Sequence, residues 1–230
     1  MPPPAVTRVV EDYVTLIWKA HEWSGSGPTT TDLAAQLAVT PSTVSANLKK
    51  LARDGFINYQ PYGPIELTPA GTVVAVEIVR RHRLLETYLA QQLGLPWDKV
   101  HDEADRLEHV VSDLVLDRMD EILGHPTRDP HGDPIPDRFG HIRESDSPDL
   151  LSETPAGSSV IVARVSDRSP EVLRFLASLG IAVGTRLNVD LVNPAADVVG
   201  MRVVSVSDDD SQHVQLSMRI AATIGVVPAR

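Results

Sequence analysis

Histidines and carboxylates at helical spacing are the residues of this sequence best suited to chemistry. The run from His101 to His109 reads His-Asp-Glu-Ala-Asp-Arg-Leu-Glu-His, which sets His101, Asp105, Glu108 and His109 at i, i+4, i+7 and i+8. An α-helix advances by roughly 100° per residue, so these four side chains fall within an arc of about 100°. Imidazole nitrogens and carboxylate oxygens gathered on one face can bind a divalent cation. The opposite face carries Ala104, Leu107, Val111 and Leu114, a packing surface. His82 and Glu86 repeat the i, i+4 spacing in the preceding segment, and two antiparallel helices would bring that pair towards His101. Each group alone also fits a solvated helical face. Two such groups in consecutive helices favour a metal site.

Composition narrows the chemistry. The 230 residues hold no cysteine, which excludes disulfides, thiolate metal ligands and thiol catalysis. There is no HExxH motif, no GxSxG elbow, no P-loop and no GxGxxG, so an enzyme is not expected. No apolar run reaches the roughly 18 residues of a membrane span, and Met1-Pro-Pro-Pro lacks the basic start of a signal peptide, so a cytoplasmic protein with no membrane partner is expected. The net charge of −10 argues at first against nucleic acid, but it is unevenly spread. Residues 1–72 carry 5 basic and 6 acidic side chains, whereas residues 73–140 carry 8 and 14. The acidic excess coincides with the candidate ligands, and the first segment is nearly neutral.

The elements that must position these groups can be read along the chain. Residues 8–23 predict a helix, broken at Gly25-Ser-Gly-Pro28. A short helix over 33–37 follows, and Thr40-Pro41-Ser42 opens another that runs to Arg53. Phe56–Tyr59 and Ile65–Leu67 predict a hairpin around Pro61-Tyr-Gly-Pro64. This order is that of a winged helix-turn-helix. Its third helix presents Thr40, Pro41, Ser42, Thr43, Ser45, Asn47, Lys49 and Arg53, whose hydroxyl, amide and cationic groups suit base edges and phosphates of double-stranded DNA. A polar, solvated face is the alternative. A long helix from Pro69 to about Leu93 and a second to about Leu123 come next. Residues 126–155, rich in Pro, Asp, Gly and Ser, read as a linker. Strands at 159–165, 186–192, 200–206 and 213–218, with a helix at 170–179, predict a small SH3-like β-barrel. The fold class is therefore mainly α with β. Its expected domains are a winged helix-turn-helix over 1–73, a helical metal-binding and dimerisation domain over 74–143, a linker over 144–156 and an SH3-like, FeoA-type domain over 157–230.

Three stretches carry a resemblance to a known family. They are Arg80-Arg-His-Arg-Leu-Leu-Glu86, Val100–His109 with Ser112-Asp113, and Asp129-Pro-His-Gly-Asp-Pro-Ile-Pro136. With them the chain resembles, over essentially its whole length, the diphtheria-toxin-repressor family of metal-dependent transcriptional regulators. The resemblance implies two metal sites per subunit of a homodimer. It assigns Asp12, Asp105, Glu108 and His109 to a primary site, and His82, Glu86 and His101 to an ancillary one. Asp167 or Glu171 would be the donor from the SH3-like domain, since the usual donor positions there hold Ser169 and Val172. The iron-responsive branch has Met and Cys where Asp12 and Asp105 stand, so the chain is more similar to the manganese transport regulator (MntR) branch. Two-domain members of that branch place Glu where Thr15 and Asp105 stand, and the usual base-reading Gln position holds Ala46. The implied function is a Mn²⁺-dependent DNA-binding repressor of metal-homeostasis genes. The alternatives are an Fe²⁺-, Co²⁺- or Zn²⁺-responsive repressor, or a metal-buffering protein whose helix-turn-helix serves only packing.

Overall fold

Val10, Tyr13, Val14 and Ile17 recur at the spacing that buries one side of a helix, and all four are buried in α1 (Arg8–Ser24). The computed structural model describes residues 6–24, 27–60, 63–142, 148–204 and 212–229. Residues 1–5, 25–26, 61–62, 143–147, 205–211 and 230, on which expectations above also fell, lie outside these. The chain forms two compact units.

The first unit comprises residues up to His82 together with 108–110 and 136–141. α2 (Thr30–Gln36) begins at a capping box, with Thr29 and Asp32 satisfying each other's backbone N–H groups. α3 (Pro41–Arg53) begins at Thr40, whose hydroxyl accepts from the Thr43 N–H, and Pro41 stands where no N–H is needed. It closes at Asp54 and Gly55, the latter at φ 86°, a value that favours glycine. β1 (Ile57–Tyr59) and β2 (Ile65–Leu67) pair antiparallel, Ile57 opposite Leu67 and Tyr59 opposite Ile65. Val14, Ile17, Leu33, Val44, Leu48, Leu51, Phe56 and Ile65 make the core of this winged helix-turn-helix. α4 (Pro69–Gln91) leads out of it.

In the second unit Leu85 and Leu89 of α4 pack on Val100 and Ala104 of α5 (Val100–Leu107). Leu84 packs on Ile135 and on Leu116 of α6 (Asp113–Ile122). The single helix expected to run to Leu123 is thus two helices. Ser112 caps α6, and its hydroxyl accepts from the Val115 N–H. Glu108, His109 and Val110 fall in the turn between, so Glu108 and His109 leave the helical face on which spacing had put them. Leu114, expected to pack, is 73% exposed.

The expected linker is also largely structured. Arg128 bridges Pro134, and Asp129, His131 and Asp133 are buried. β3 (Asp149–Leu150) pairs with the last strand, and Leu151 is fully buried. The antiparallel sheet is completed by β4 (Ser159–Val165), β5 (Arg186–Asn193), β6 (Val198–Val204), β7 (Gln212–Leu216) and β8 (Ile224–Pro228), in the order β3-β8-β4-β5-β6-β7. Register shifts at Val162/Arg164 and Val189/Leu191 let it coil around one core. That core takes Leu173 and Leu176 from α7 (Pro170–Ser178) and Ala221 from α8 (Met218–Ala221). Met218 is therefore helical, where a strand was expected, and β8 was not foreseen. No described helix is long and apolar enough to cross a membrane.

Candidate metal centre and nucleic-acid interface

The α3 face is built by what it buries. Val44, Leu48 and Leu51 point into the core, which leaves Pro41, Ser42, Thr43, Ala46, Lys49 and Lys50 exposed. Thr40 Oγ1 lies 2.8 Å from Ser42 Oγ and 2.9 Å from Thr43 Oγ1, so three hydroxyls cluster at the helix start. Ser45 donates to the Pro41 carbonyl at 3.0 Å. Asn47, expected on the DNA face, is also engaged towards α1. Half-buried, it donates from Nδ2 to the Tyr13 hydroxyl at 3.1 Å, tying α3 to α1. Arg53 pairs with Asp54 at 3.1 Å while its side chain stays 72% exposed. The face can meet phosphates and base edges through short polar groups and lysine.

In the same unit α1 and the 108–110 turn bring acidic groups and imidazoles together. His109 Nε2 lies 3.2 Å from Asp12 Oδ1 and 3.3 Å from Glu108 Oε1. Its Nδ1 is 2.6 Å from Glu11 Oε2, and His82 Nδ1 is 2.6 Å from Glu108 Oε2. Glu11 was not anticipated. One residue from Asp12 and on a helix, it had no spacing signal, yet its carboxylate fixes the His109 ring through Nδ1 and leaves Nε2 facing Asp12 and Glu108. Burial raises the Asp12 pKa, with Glu108 and Glu11 adding to the effect and His109 and Arg8 opposing it. Donor atoms each about 2.1 Å from a cation and roughly 90° apart lie about 3 Å from one another. Asp12 Oδ1 and Glu108 Oε1 each stand at that spacing from His109 Nε2, and no sulfur is present.

A second collection lies in the other unit. His101 Nδ1 is 2.9 Å from Asp167 Oδ2 and 3.3 Å from Glu86 Oε1, and its Nε2 is 3.7 Å from Asp105 Oδ2. Glu86 is fully buried, Asp167 largely so, and Asp105 is half-exposed. Of the two C-terminal candidates, Asp167 joins His101. Glu171 does not, because its carboxylate is exposed and engaged with Ser169 and Arg174 at the start of α7.

Sequence reasoning also missed His131 and Asp129. His131 Nδ1 is 3.6 Å from Glu86 Oε2, and its Nε2 donates to the Trp97 carbonyl at 2.8 Å, with the Trp97 ring stacked at 5.8 Å. Burial lowers the His131 pKa, but Glu86, Asp129 and Asp167 outweigh it and push the imidazole up to about 10. Asp129 is held well above the usual carboxylate range by burial, and then by Asp133 and Glu86. The usable signal was the density of Asp and His between Arg128 and Pro134, which its Pro and Gly content disguised as a linker.

Comparison with known proteins gives three family models in chain order. They are the iron dependent repressor N-terminal DNA binding domain over residues 5–65, the iron dependent repressor metal binding and dimerisation domain over 68–137, and the FeoA domain over 150–228. The diphtheria toxin repressor of Corynebacterium efficiens is 36% identical over 211 residues, 86% of this chain and 90% of the relative. The iron-dependent repressor IdeR of Mycobacterium leprae is 32% identical over 203 residues, 82% and 86% of the two chains. Among solved structures, a manganese-dependent transcriptional repressor in complex with manganese superposes with a TM-score of 0.89 at 41% identity, covering 96% of this chain and all of the other.

Proposed function

The chain belongs to the iron-dependent, or diphtheria-toxin, repressor family of metal-dependent transcriptional repressors, and from that premise we propose that Mn²⁺ is the ion that activates it for operator binding as a homodimer. The observation that carries the choice of metal is the donor set. Asp12, Glu108 and His109 offer only oxygen and nitrogen, Asp105 adds another hard carboxylate, and the chain has no cysteine. Hard oxygen donors suit Mn²⁺, whereas soft sulfur favours other ions. Iron-named relatives stand beside the manganese-bound neighbour, so Fe²⁺ is the rival reading.

Asp12, Glu108 and His109 would hold the activating ion, with Glu11 and His82 orienting His109 and Glu108. Glu86, His101 and Asp167 would hold a second. When bound, the cation supplies the positive charge that these crowded carboxylates need. Asp12 neighbours Tyr13, which is packed in the reader core and receives the Asn47 bond from α3. Restraining Asp12 therefore restrains α3. Two such helices in a symmetric dimer must meet major grooves one helical turn, or a multiple, apart. Leu114, Val115 and Ile122 expose apolar surface on α6, which suits a self-complementary dimer contact.

The test is DNA affinity metal by metal. A duplex recovered by the protein from a randomised pool is titrated by fluorescence anisotropy at fixed salt with Mn²⁺, Fe²⁺, Co²⁺ or Zn²⁺, each buffered at the free concentration expected in cells. Activation by Mn²⁺ alone supports the proposal. Equal or better activation by Fe²⁺ or Zn²⁺ overturns the choice of metal. Metal binding with no metal-dependent DNA binding identifies a buffering protein.

A further inference from the structure

Glu86 turns its two carboxylate oxygens to different neighbours. Oε1 faces His101, while Oε2 faces His131 in a pocket whose side chains are almost wholly buried. We propose that Glu86, Asp129 and His131 form a further divalent-cation site, one that takes a first-row transition ion on two carboxylates and one imidazole.

The imidazole carries the argument. His131 is 0% exposed, and Nε2 spends its proton on the Trp97 carbonyl. Nδ1 is buried and faces the Glu86 Oε2 at 3.6 Å, beyond a good hydrogen bond, so a cation bound there would displace the Nδ1 proton and sit between the two atoms. Two atoms each roughly 2.1–2.2 Å from one cation lie about 3.0–3.6 Å apart at ordinary coordination angles. Donation of the far N–H to a backbone carbonyl is also how ligating histidines are oriented.

Asp129 is fixed in the same way. Its Oδ1 accepts the N–H groups of His131 and Asp133, both at 2.9 Å, which leaves Oδ2 for a cation; Arg83 Nε is 3.7 Å from it. Donor atoms of Glu86, Asp129 and His131 lie within 4.8 Å of one another. The loop that carries two of them is pressed against β4. Val165 N–H donates to the His131 carbonyl at 2.8 Å, and a Cβ on Gly132 (φ 87°) would stand 2.1 Å from the Ala163 carbonyl oxygen. The donors are therefore preorganised.

Charge points the same way. Glu86, Asp129 and Asp133 are buried together with two guanidiniums, Arg83 and Arg164. A divalent ion at His131 Nδ1 would take the place of the imidazole proton as the cation that faces Glu86 and Asp129. The site shares Glu86 with the His101–Asp167 set but depends neither on DNA binding nor on Mn²⁺ being the activating ion.

The test uses the full chain crystallised with MnCl₂, with anomalous data at the manganese edge and metal content measured after dialysis. The wild type should show a peak within about 2.5 Å of His131 Nδ1, a bonding distance. His131→Gln and Asp129→Asn should each lose that peak and one equivalent of Mn²⁺ while keeping the ion at His101 and Asp167. His101→Gln should keep the His131 peak. Peaks at the other two sets with none at His131 would overturn the proposal, as would unchanged metal content in both variants, meaning a proton holds Nδ1. Absence of peaks from all three sets would refute the proposed function as well. The wild-type map decides even where a variant fails to fold.

Discussion

Replacing Arg164 with Met should be among the most damaging single changes in the second unit. Arg164 Nε donates to Asp133 Oδ1 at 2.5 Å, and the two side chains are 6% and 4% exposed. Arg83 Nη2 stands 3.4 Å from the other Asp133 oxygen, while its Nη1 donates to the Pro134 carbonyl at 2.6 Å. Breaking a buried pair leaves a desolvated charge short of compensation, at a cost of about 3–5 kcal/mol. That raises the unfolding constant roughly 10²- to 10⁴-fold, since about 1.4 kcal/mol is tenfold. Arg118 and Glu121 form a pair at the same N–O distance of 2.5 Å, but their side chains are 70% and 55% exposed. Screening by water limits such a pair to about 0–1 kcal/mol. Urea unfolding followed by circular dichroism should therefore separate Arg164→Met from Arg118→Met by at least about 2 kcal/mol. Asp133→Asn added to Arg164→Met removes the stranded charge and should recover part of the loss. Equal costs for Arg164→Met and Arg118→Met, or a double variant no better than Arg164→Met alone, would refute the reasoning.

Lys49→Ala should weaken binding on all DNA sequences alike and lower the slope of log K against log salt by about 0.9, whereas Asn47→Ala should cost about 1 kcal/mol of stability through the lost Tyr13 bond and leave the slope unchanged; salt-series anisotropy and thermal melts distinguish them. Leu114→Glu should shift the protein towards monomer in sedimentation velocity while the monomer keeps its native circular dichroism spectrum, because Leu114 is 73% exposed within the chain. Backbone N–H groups of His141 and then Phe139 hold the Asp137 pKa below the usual carboxylate range. Its contribution to the order of the 137–141 turn is therefore present at neutral pH and lost as pH falls through that lowered value. The protection factors of the Phe139 and His141 amides, relative to intrinsic exchange at each pH, should fall on acidification in the wild type and stay flat in Asp137→Asn.

Legibility followed locality. The caps at Thr29 and Thr40 and the periodic Val10, Val14 and Ile17 are local signals, and the reader could be read from them. The hairpin strand at Ile65–Leu67 was equally plain. The failures have one origin. Helical periodicity continues through Glu108 and His109, but Ser112 restarts the helix, a cap whose effect depends on what Leu116 packs against. The stretch from Arg128 to Pro134 looks like a linker because its order comes from distant partners, Arg83, Arg164 and Trp97. Asp167 could be narrowed to one of two residues, and only the fold separates it from Glu171. Glu11 and His131 carry no spacing signal at all, because their partners lie 98 and 34 residues away in sequence.

The central claim is that a cation held by Asp12, Glu108 and His109 switches on DNA binding. Anisotropy of a labelled duplex, titrated with wild type or Asp12→Ala at fixed salt with and without Mn²⁺, tests it most directly. The wild type should bind at least about tenfold more tightly with Mn²⁺, which corresponds to about 1.4 kcal/mol of coupling between metal and DNA. Asp12→Ala should keep its fold and bind weakly in both conditions. Mn²⁺-dependent binding that survives unchanged in Asp12→Ala would contradict the account.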